Sequence, residues 1–199
     1  MQNHRDFFNA MAEKWDEVCQ HDPAKINRMI SMLDIQKGAS CLDVGTGTGV
    51  MIPYLMQRAG ENGKITAIDM ADQMLKAAQS KYASPNVEFI CGDVLDGSLP
   101  GGTFDAVVCY SVFPHFGDKQ SAIQTLGGYL KKGGRMLIGH AQSRDMINRM
   151  HQNAAEAVRE DILPDMAAIR SFMEAAGLVV VNWTDDGEMF AIVGKKRLF

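Results

Sequence analysis

The sequence lacks the features that mark several large classes of protein. It contains no long run of lysine or arginine, and its formal net charge is −4. Because contact with nucleic-acid phosphates calls for a basic face, no nucleic-acid partner is expected. No apolar run reaches the roughly 18 residues of a membrane span, and the first ten residues lack the apolar core of a signal peptide. These absences predict a cytoplasmic protein without a membrane span.

Cysteine is scarce and lacks the paired spacing that is common in metal sites. The four cysteines, Cys19, Cys41, Cys91 and Cys109, show no C-x-x-C pattern. Three of them lie in or at the ends of apolar runs, which favours buried thiols that pack as small hydrophobic side chains. An arsenic- or metal-binding trio is the alternative. No metal site is predicted.

Glycine is concentrated in the stretch that organises the chain. Residues 41–50, CLDVGTGTGV, pass from an apolar run through Gly45, Gly47 and Gly49 into a helical pattern. Glycine tolerates positive φ and lets a ligand approach the backbone, while the following helix points N–H groups at the turn. The pattern predicts a nucleotide-type turn that holds a ligand with a carboxylate or phosphate.

Three acids indicate which ligand the turn holds. Asp69 ends the next apolar run, where its carboxylate can accept hydrogen bonds from ribose hydroxyls. Asp43 precedes the first glycine by two residues, where it would repel a pyrophosphate and attract the cationic groups of S-adenosylmethionine. Asp93 follows the third apolar run and could accept from an adenine amino group. With the G-x-G-x-G spacing, these acids favour S-adenosylmethionine over NAD.

Strand and helix patterns alternate after the N-terminal region, which predicts an α/β protein with parallel strands and helices on both faces. Strands are predicted near residues 40–44, 64–69, 87–91, 104–110, 134–140, 178–184 and 188–194. Helices are predicted near residues 49–59, 71–82, 118–131, 143–159 and 165–176. The last two strands flank a DDG turn, so they are predicted to form an antiparallel hairpin.

Two helices are predicted before the glycine turn. In the first, Phe7, Phe8, Met11 and Trp15 share one apolar face. Asp22 is the predicted N-cap of the second. Helices of this kind can simply cover the sheet.

Polar side chains cluster after the fourth and fifth predicted strands. Ligands of doubly wound sheets lie beyond the carboxyl ends of the strands, which is where His115 and His140 occur. Arg144, Asn148 and His151 follow at a spacing that shares one helix face. The alternatives are that His115 is only part of the loop structure and that Arg144, Asn148 and His151 only lie on a solvated helix face. The three histidines could bind a metal, but their spacing does not establish that they converge.

The ordered motifs resemble those of the class I S-adenosylmethionine-dependent methyltransferases. CLDVGTGTG is similar to the first motif of that family, AIDMADQML to the second and ICGDVLD to the third, with FDAVVCYSVFPHF and LKKGGRMLI similar to the fourth and fifth. The resemblance runs from about Asp6 to Lys196 and is strongest to small-molecule methyltransferases of the ubiquinone/menaquinone-biosynthesis type. It implies a Rossmann-like, doubly wound, seven-stranded sheet that is mostly parallel and ends in an antiparallel hairpin strand.

The resemblance also implies one domain over residues 1–199, with a helical cap in residues 1–37 over a cofactor-binding core in residues 38–199. S-adenosylmethionine is the implied cofactor. The residues expected to bind it are Asp43, Gly45, Thr46, Gly47, Gly49, Asp69, Met70, Met74, Gly92, Asp93, Val94 and Tyr110. The residues expected to contact a small-molecule methyl acceptor are Phe8, Met11, Trp15, His115, Phe116, His140, Arg144, Asn148 and His151.

Histidine is the expected catalytic residue type because it titrates near neutrality. His115 is the first choice as a base and His140 the second, while an acceptor that loses no proton would need them only for positioning. Two other functions stay open: a nicotinamide-dependent oxidoreductase, and a non-catalytic domain that binds S-adenosylmethionine. The protein is expected to be a monomer or a homodimer.

Overall fold

Seven strands form one sheet in the computed structural model, which describes residues 4–198. The strands are β1 Ser40–Val44, β2 Lys64–Asp69, β3 Val87–Cys91, β4 Phe104–Tyr110, β5 Leu130–His140, β6 Leu178–Asp185 and β7 Phe190–Lys196. Their order is β3-β2-β1-β4-β5-β7-β6, and β7 runs antiparallel to both of its neighbours. The predicted doubly wound sheet with a C-terminal hairpin is confirmed. Residues 1–3 of the predicted cap, and residue 199, lie outside the described part of the chain.

Eight α-helices surround the sheet within the described residues. They are α1 His4–Met11, α2 Trp15–Val18, α3 Pro23–Met32, α4 Ile52–Ala59, α5 Asp72–Tyr82, α6 Lys119–Tyr129, α7 Arg144–Gln152 and α8 Met166–Ala175. Single 3₁₀ turns occur at Ala12–Lys14, Phe113–His115 and Glu156–Val158. Among these residues, no helix combines the length and the apolar character that crossing a membrane requires.

Several predicted boundaries differ from the structure. The first predicted helix is two helices, because the turn at Ala12–Lys14 separates α1 from α2. The helix predicted to reach residue 159 ends at Gln152 and is followed by a separate 3₁₀ turn. Strand β7 begins at residue 190 because the Asp186 carboxylate accepts the N–H groups of residues 188 and 189, both at 2.8 Å, and so extends the hairpin turn.

Strand side chains alternate between two apolar clusters, one on each face of the sheet. Along β4, Ala106 and Val108 pack in the cluster that contains residues of α3 and α4, whereas Val107 and Cys109 pack in the cluster that contains residues of α6 and α8. Parallel strands that are buried on both faces form nearly continuous apolar runs. This packing leaves the carboxyl ends of the strands as the place where polar side chains meet.

The cysteines differ in burial. Cys41 and Cys109 are buried, as the packing prediction requires, and burial raises the pKa of the Cys41 thiol to about 12. The prediction is wrong for Cys91, which is exposed at the end of β3. Cys19 is partly buried, and burial raises the pKa of its thiol.

Polar contacts hold the N-terminal helices over the carboxyl edge of the sheet. Asp16 of α2 accepts a hydrogen bond at 2.6 Å from Thr48, which lies in the glycine turn. Its other carboxylate oxygen lies 2.7 Å from Lys81 Nζ of α5. From α1, the Asn9 amide donates to Asp72 at 3.1 Å. These contacts place α1 and α2 beside the loops that follow β1 and β2.

The start of α3 gives a test of local stability. The Asp22 carboxylate accepts the N–H groups of Ala24 and Lys25 at 2.8 and 3.2 Å. Asp22→Ala should lower the free energy of unfolding by about 0.5–2 kcal/mol, because these donors lose their acceptor. Urea unfolding measures this loss, with Asp22→Asn as a control that keeps an acceptor oxygen. Equal losses in both variants would contradict the capping role.

Candidate functional site

A cavity of about 710 Å³ opens at the carboxyl ends of β1 to β5. Its volume lies within the range of small-molecule sites. The predicted site residues that line it beside β1, β2 and β3 form what we call the glycine side: Gly45, Thr46, Gly47, Asp69, Met70, Met74, Gly92, Asp93 and Val94. Those that line it beside β4, β5, α7 and the N-terminal helices form the histidine side: Phe8, Trp15, His115, Phe116, His140 and His151. Tyr110, at the end of β4, lies between the two sides.

The glycines of the turn are required for different reasons. At Gly45 a Cβ atom would overlap the Val112 side chain, and at Gly49 it would lie 2.7 Å from the Tyr82 ring. Gly49 does not line the cavity and packs closely against Tyr82, and its contact with the cofactor stays a prediction. At Gly47, where φ is +55°, a Cβ atom would meet no described atom within 4 Å. The missing side chain of Gly47 therefore leaves open space on the wall of the cavity.

Asp69 joins the glycine turn to the end of β2. One carboxylate oxygen accepts the Gly47 N–H and the other accepts the Ala71 N–H, both at 2.8 Å. Burial raises the pKa of Asp69, while these backbone hydrogen bonds oppose the rise. Because each carboxylate oxygen has two lone pairs, Asp69 can still accept hydrogen bonds from a ligand.

Asp43 lies behind the turn and is not among the residues that line the cavity, so its contact with the cofactor stays a prediction. Its side chain is buried, and the Thr46 hydroxyl donates to it at 2.7 Å. Burial raises the pKa of Asp43 to about 7, against the effect of the Thr46 hydrogen bond. A cationic ligand at the turn would favour the ionised carboxylate.

Asp93 lies at the far end of the glycine side. Its carboxylate accepts the Leu95 N–H at 2.9 Å, which fixes the loop after β3. A Cβ atom at the neighbouring Gly92 would meet no described atom within 4 Å. The buried side chains of Met74 and Val94 add an apolar wall. The glycine side therefore combines two carboxylates with bare backbone and apolar surface.

Asp161 forms hydrogen bonds with three of the histidines. Asp161 Oδ2 lies 2.7 Å from His115 Nδ1 and 2.8 Å from His4 Nε2, and the Asp161 backbone oxygen lies 2.8 Å from His151 Nδ1. Carboxylate and carbonyl oxygens only accept, so each of these ring nitrogens donates. In the neutral rings of His115 and His151, Nε2 therefore carries the lone pair. The centroids of these two rings are 5.2 Å apart.

His115 and His140 lie in different electrostatic surroundings. Burial lowers the pKa of His115, while its hydrogen bond to Asp161 raises it. His140 is 1% exposed, and neither ring nitrogen has a hydrogen-bond partner among residues 4–198. Burial lowers the pKa of His140 to about 3, so the ring is neutral at pH 7. This corrects the expectation that His140 titrates near neutrality, and it favours a positioning role over a base.

Three predicted acceptor contacts do not line the cavity. Met11 packs with the apolar cluster around Met74. The Asn148 amide is used by the backbone of Leu163, which accepts from its Nδ2 at 3.1 Å and donates to its Oδ1 at 2.8 Å. Arg144 pairs with the adjacent Asp145 at 3.4 Å. Of Arg144, Asn148 and His151, only His151 lines the cavity.

Sequence reasoning missed Asp161 and His4. His4 lies four residues before Phe8, so helical spacing places it on the same face and could have identified it. Asp161 lies between Val158 and α8, where several acids occur and nothing in the local pattern marks one as buried. A further cavity residue, His21, forms a 3.0 Å hydrogen bond with the Tyr110 hydroxyl.

Comparisons with known proteins agree with this geometry. A family model described as a methyltransferase domain matches residues 41–134. An uncharacterised methyltransferase of Mycobacterium bovis is 30% identical over 129 residues, covering 64% of this chain and 61% of the relative. A ubiquinone/menaquinone biosynthesis C-methyltransferase of Idiomarina loihiensis is 25% identical and covers 89% of this chain and 83% of the relative. A solved S-adenosylmethionine-dependent methyltransferase from Aquifex aeolicus superposes with a TM-score of 0.72 at 21% identity, covering 94% and 97% of the two chains.

Residues 41–134 are therefore similar to a methyltransferase domain, and the fold of the chain is that of the solved methyltransferase. In the alignment with the mycobacterial relative, this chain spans less than two thirds of that protein's own length, 61%.

The glycine side fits the cofactor of S-adenosylmethionine-dependent methyltransferases. The space beside Gly47 and Gly92 admits a ligand against bare backbone, and Asp69 and Asp93 present carboxylates at two successive strand ends. Asp43 lies beneath the same turn, where its carboxylate would attract the cationic end of S-adenosylmethionine.

Gly47→Val should abolish binding of S-adenosylhomocysteine while leaving the fold intact. The valine side chain would fill the open space beside the turn, and a β-branched residue is strained at positive φ. Gly102→Val is a matched control, because Gly102 also has positive φ (+65°) and open space but lies outside the cavity. Calorimetry on both variants separates cofactor space from backbone strain. Full affinity in a folded Gly47→Val protein would show that the turn is not the cofactor site.

Proposed function

We propose that this chain transfers the methyl group of S-adenosylmethionine to a small molecule bound at the histidine side of the cavity. The observation that carries the proposal is that one cavity joins the glycine side to a wall of aromatic and imidazole side chains. The sulfonium is already activated, so catalysis consists mainly of aligning the acceptor with the methyl carbon and excluding water.

The glycine side is proposed to hold the cofactor in one orientation. Asp69 would accept hydrogen bonds from the ribose hydroxyls, and Asp93 would accept one from the adenine amino group. Met74 and Val94 would pack against the adenine ring, because both are buried on the same side of the cavity. The methionine end would then lie near the turn, where Asp43 attracts its cationic groups.

The histidine side is proposed to hold the acceptor. Phe8, Trp15 and Phe116 give the wall an aromatic surface, which suits an apolar or planar molecule. His115 lies among them, with its ring 5.2 Å from that of Phe8. The Idiomarina loihiensis relative is named for ubiquinone and menaquinone biosynthesis, which supports an acceptor of small-molecule size.

His115 is the proposed catalytic residue. Its Nδ1 is held by Asp161, which leaves the Nε2 lone pair of the neutral ring for the acceptor. A base is needed only where the attacking atom must lose a proton, and otherwise the ring orients the acceptor. His140 and His151 are proposed to position the acceptor through their remaining ring nitrogens.

Residues 1–37 are proposed to act as a cap over the core in residues 38–199, within a single domain. Within the described part of this cap, His4, Phe8 and Trp15 line the cavity. Asp16 holds the cap to the glycine turn through Thr48. Closure of the cap would exclude water from both ligands.

The two alternative functions have less support. A nicotinamide-dependent oxidoreductase does not agree with the methyltransferase-domain match over residues 41–134. A domain that only binds S-adenosylmethionine would be favoured by a blocked acceptor side, whereas the histidine side lines an open cavity.

The proposal can be tested with the full chain and S-adenosylmethionine labelled in its methyl group. The protein is expected to bind S-adenosylhomocysteine more tightly than NAD in calorimetry. Incubation with a metabolite extract is expected to move the label into a small molecule, which mass spectrometry can identify. Cofactor binding without any transfer of label would support the non-catalytic alternative.

His115→Ala should lower the rate of label transfer while leaving the affinity for S-adenosylhomocysteine nearly unchanged, because the imidazole lies on the acceptor side. Loss of a general base typically costs about 10²–10⁴ in rate, and loss of a positioning contact costs less. His115→Gln is the matched control, since its amide can donate to Asp161 but cannot act as a base. Full turnover in both variants would place the acceptor elsewhere.

A further inference from the structure

Every histidine of the chain lines the same cavity. The sequence contains five histidines, and His4, His21, His115, His140 and His151 are all lining residues. They come from α1, the segment before α3, the loop after β4, the end of β5 and α7. Imidazole is the most common metal ligand among protein side chains. The cavity therefore contains several side chains that can bind a metal, in addition to the residues of the glycine side.

Asp161 carries a negative charge that no lysine or arginine neutralises within the described contacts. Its side chain is only 12% exposed. Lys119 interacts with this charge but donates its ammonium group to the backbone oxygens of Pro114 and Phe116.

The closest side-chain partners of Asp161 among the described residues are the imidazoles of His4 and His115, at 2.8 and 2.7 Å. Buried charges in proteins are normally paired or coordinate a metal. A bound cation would neutralise the Asp161 carboxylate.

The donor atoms around Asp161 are close enough to share one ion. His4 Nε2 and His115 Nδ1 lie 2.8 and 2.7 Å from the same Oδ2 atom. All three donor atoms lie within 4.8 Å of one another. Ligand atoms about 2.0–2.2 Å from a zinc ion are roughly 3.4 Å apart in the tetrahedral geometry that zinc prefers. Small side-chain shifts would therefore convert the hydrogen-bonded cluster into a coordination site.

We propose that His4 Nε2, His115 Nδ1 and Asp161 Oδ2 bind one divalent transition-metal ion. The ion would take the place of the two N–H protons that point at Oδ2, and each neutral imidazole would keep its proton on its other ring nitrogen. In the metal-bound protein His115 Nε2–H would therefore orient the acceptor as a hydrogen-bond donor, and a base role for His115 applies only to the metal-free protein. Two imidazoles and one carboxylate suit Zn²⁺, Co²⁺, Ni²⁺ or Fe²⁺, whereas Mg²⁺ and Ca²⁺ prefer oxygen ligands. Three protein ligands leave a coordination position for a further ligand.

The surrounding contacts support this assignment. His151 donates its Nδ1–H to the Asp161 backbone oxygen at 2.8 Å, which fixes the loop that carries the carboxylate. Such outer contacts orient the ligands of metal sites. Because His4 belongs to α1, the ion would also fasten the cap to the core. The metal site does not depend on the proposed methyl transfer; only the use of the open position by an acceptor rests on that function.

The test uses the full chain after removal of metals with a chelator. Titration with Co²⁺ at neutral pH, followed by calorimetry and visible absorption, is expected to show one bound ion per chain, and Mg²⁺ is expected not to bind. His4→Ala and Asp161→Asn should each weaken Co²⁺ binding by at least about tenfold, since loss of even an outer contact costs about 10–100-fold. His21→Ala is the matched control, because His21 lines the cavity outside the cluster, and it should bind Co²⁺ normally.

Calorimetry with S-adenosylhomocysteine on the same samples shows whether each variant is folded. A wild-type protein that binds S-adenosylhomocysteine but not Co²⁺ overturns the metal site and leaves the proposed function intact. Co²⁺ binding that is unchanged in both His4→Ala and Asp161→Asn also overturns the assignment. Co²⁺ binding by a protein that transfers no methyl label would support the metal site and count against the proposed function alone.

Discussion

The hydrogen bonds of Asp69 are the contacts on which the geometry of the glycine side depends. One carboxylate oxygen holds the backbone of Gly47 and the other holds that of Ala71, so the turn after β1 and the loop after β2 keep a fixed separation. Gly47 takes a positive φ, which glycine adopts without a steric penalty, and the Asp69 carboxylate accepts its N–H in that conformation. The space beside Gly47 exists because this contact holds the turn open while Gly45 and Gly49 pack tightly.

Helix α3 of the cap packs into the apolar core, whereas the segment before it is joined to the core by a small apolar cluster around Met74 and by polar contacts across long sequence separations. Asp16 reaches the glycine turn, His21 reaches Tyr110 and His4 reaches Asp161. Charged and hydrogen-bonded contacts at a partly exposed boundary are individually weak, so this segment can open more easily than the apolar core can unfold. That property suits a cavity that must admit two ligands and then exclude water.

The two sides of the cavity differ in the ionisable groups that they contain. On the glycine side, the acids are buried or partly buried, and a cationic ligand would interact favourably with them. Burial raises the pKa of Asp43 to about 7, and within the described chain only the hydrogen bond from the Thr46 hydroxyl opposes this rise. On the histidine side, burial lowers the pKa of His115 and His140, while, against the effect of burial, hydrogen bonds from His115 and His4 lower that of Asp161.

The sequence by itself determined the sheet, the hairpin and the position of the glycine turn, because strand alternation and glycine spacing are local patterns. It also placed Asp69 and Asp93 correctly on the wall of the cavity, since both end strands. Only the tertiary structure decided that Asp43 lies behind the turn, that Asn148 serves the backbone of Leu163, and that Asp161 joins His4 to His115. The packing of several elements brings these residues together. Local sequence periodicity does not show which side chains that are distant in the sequence make contact.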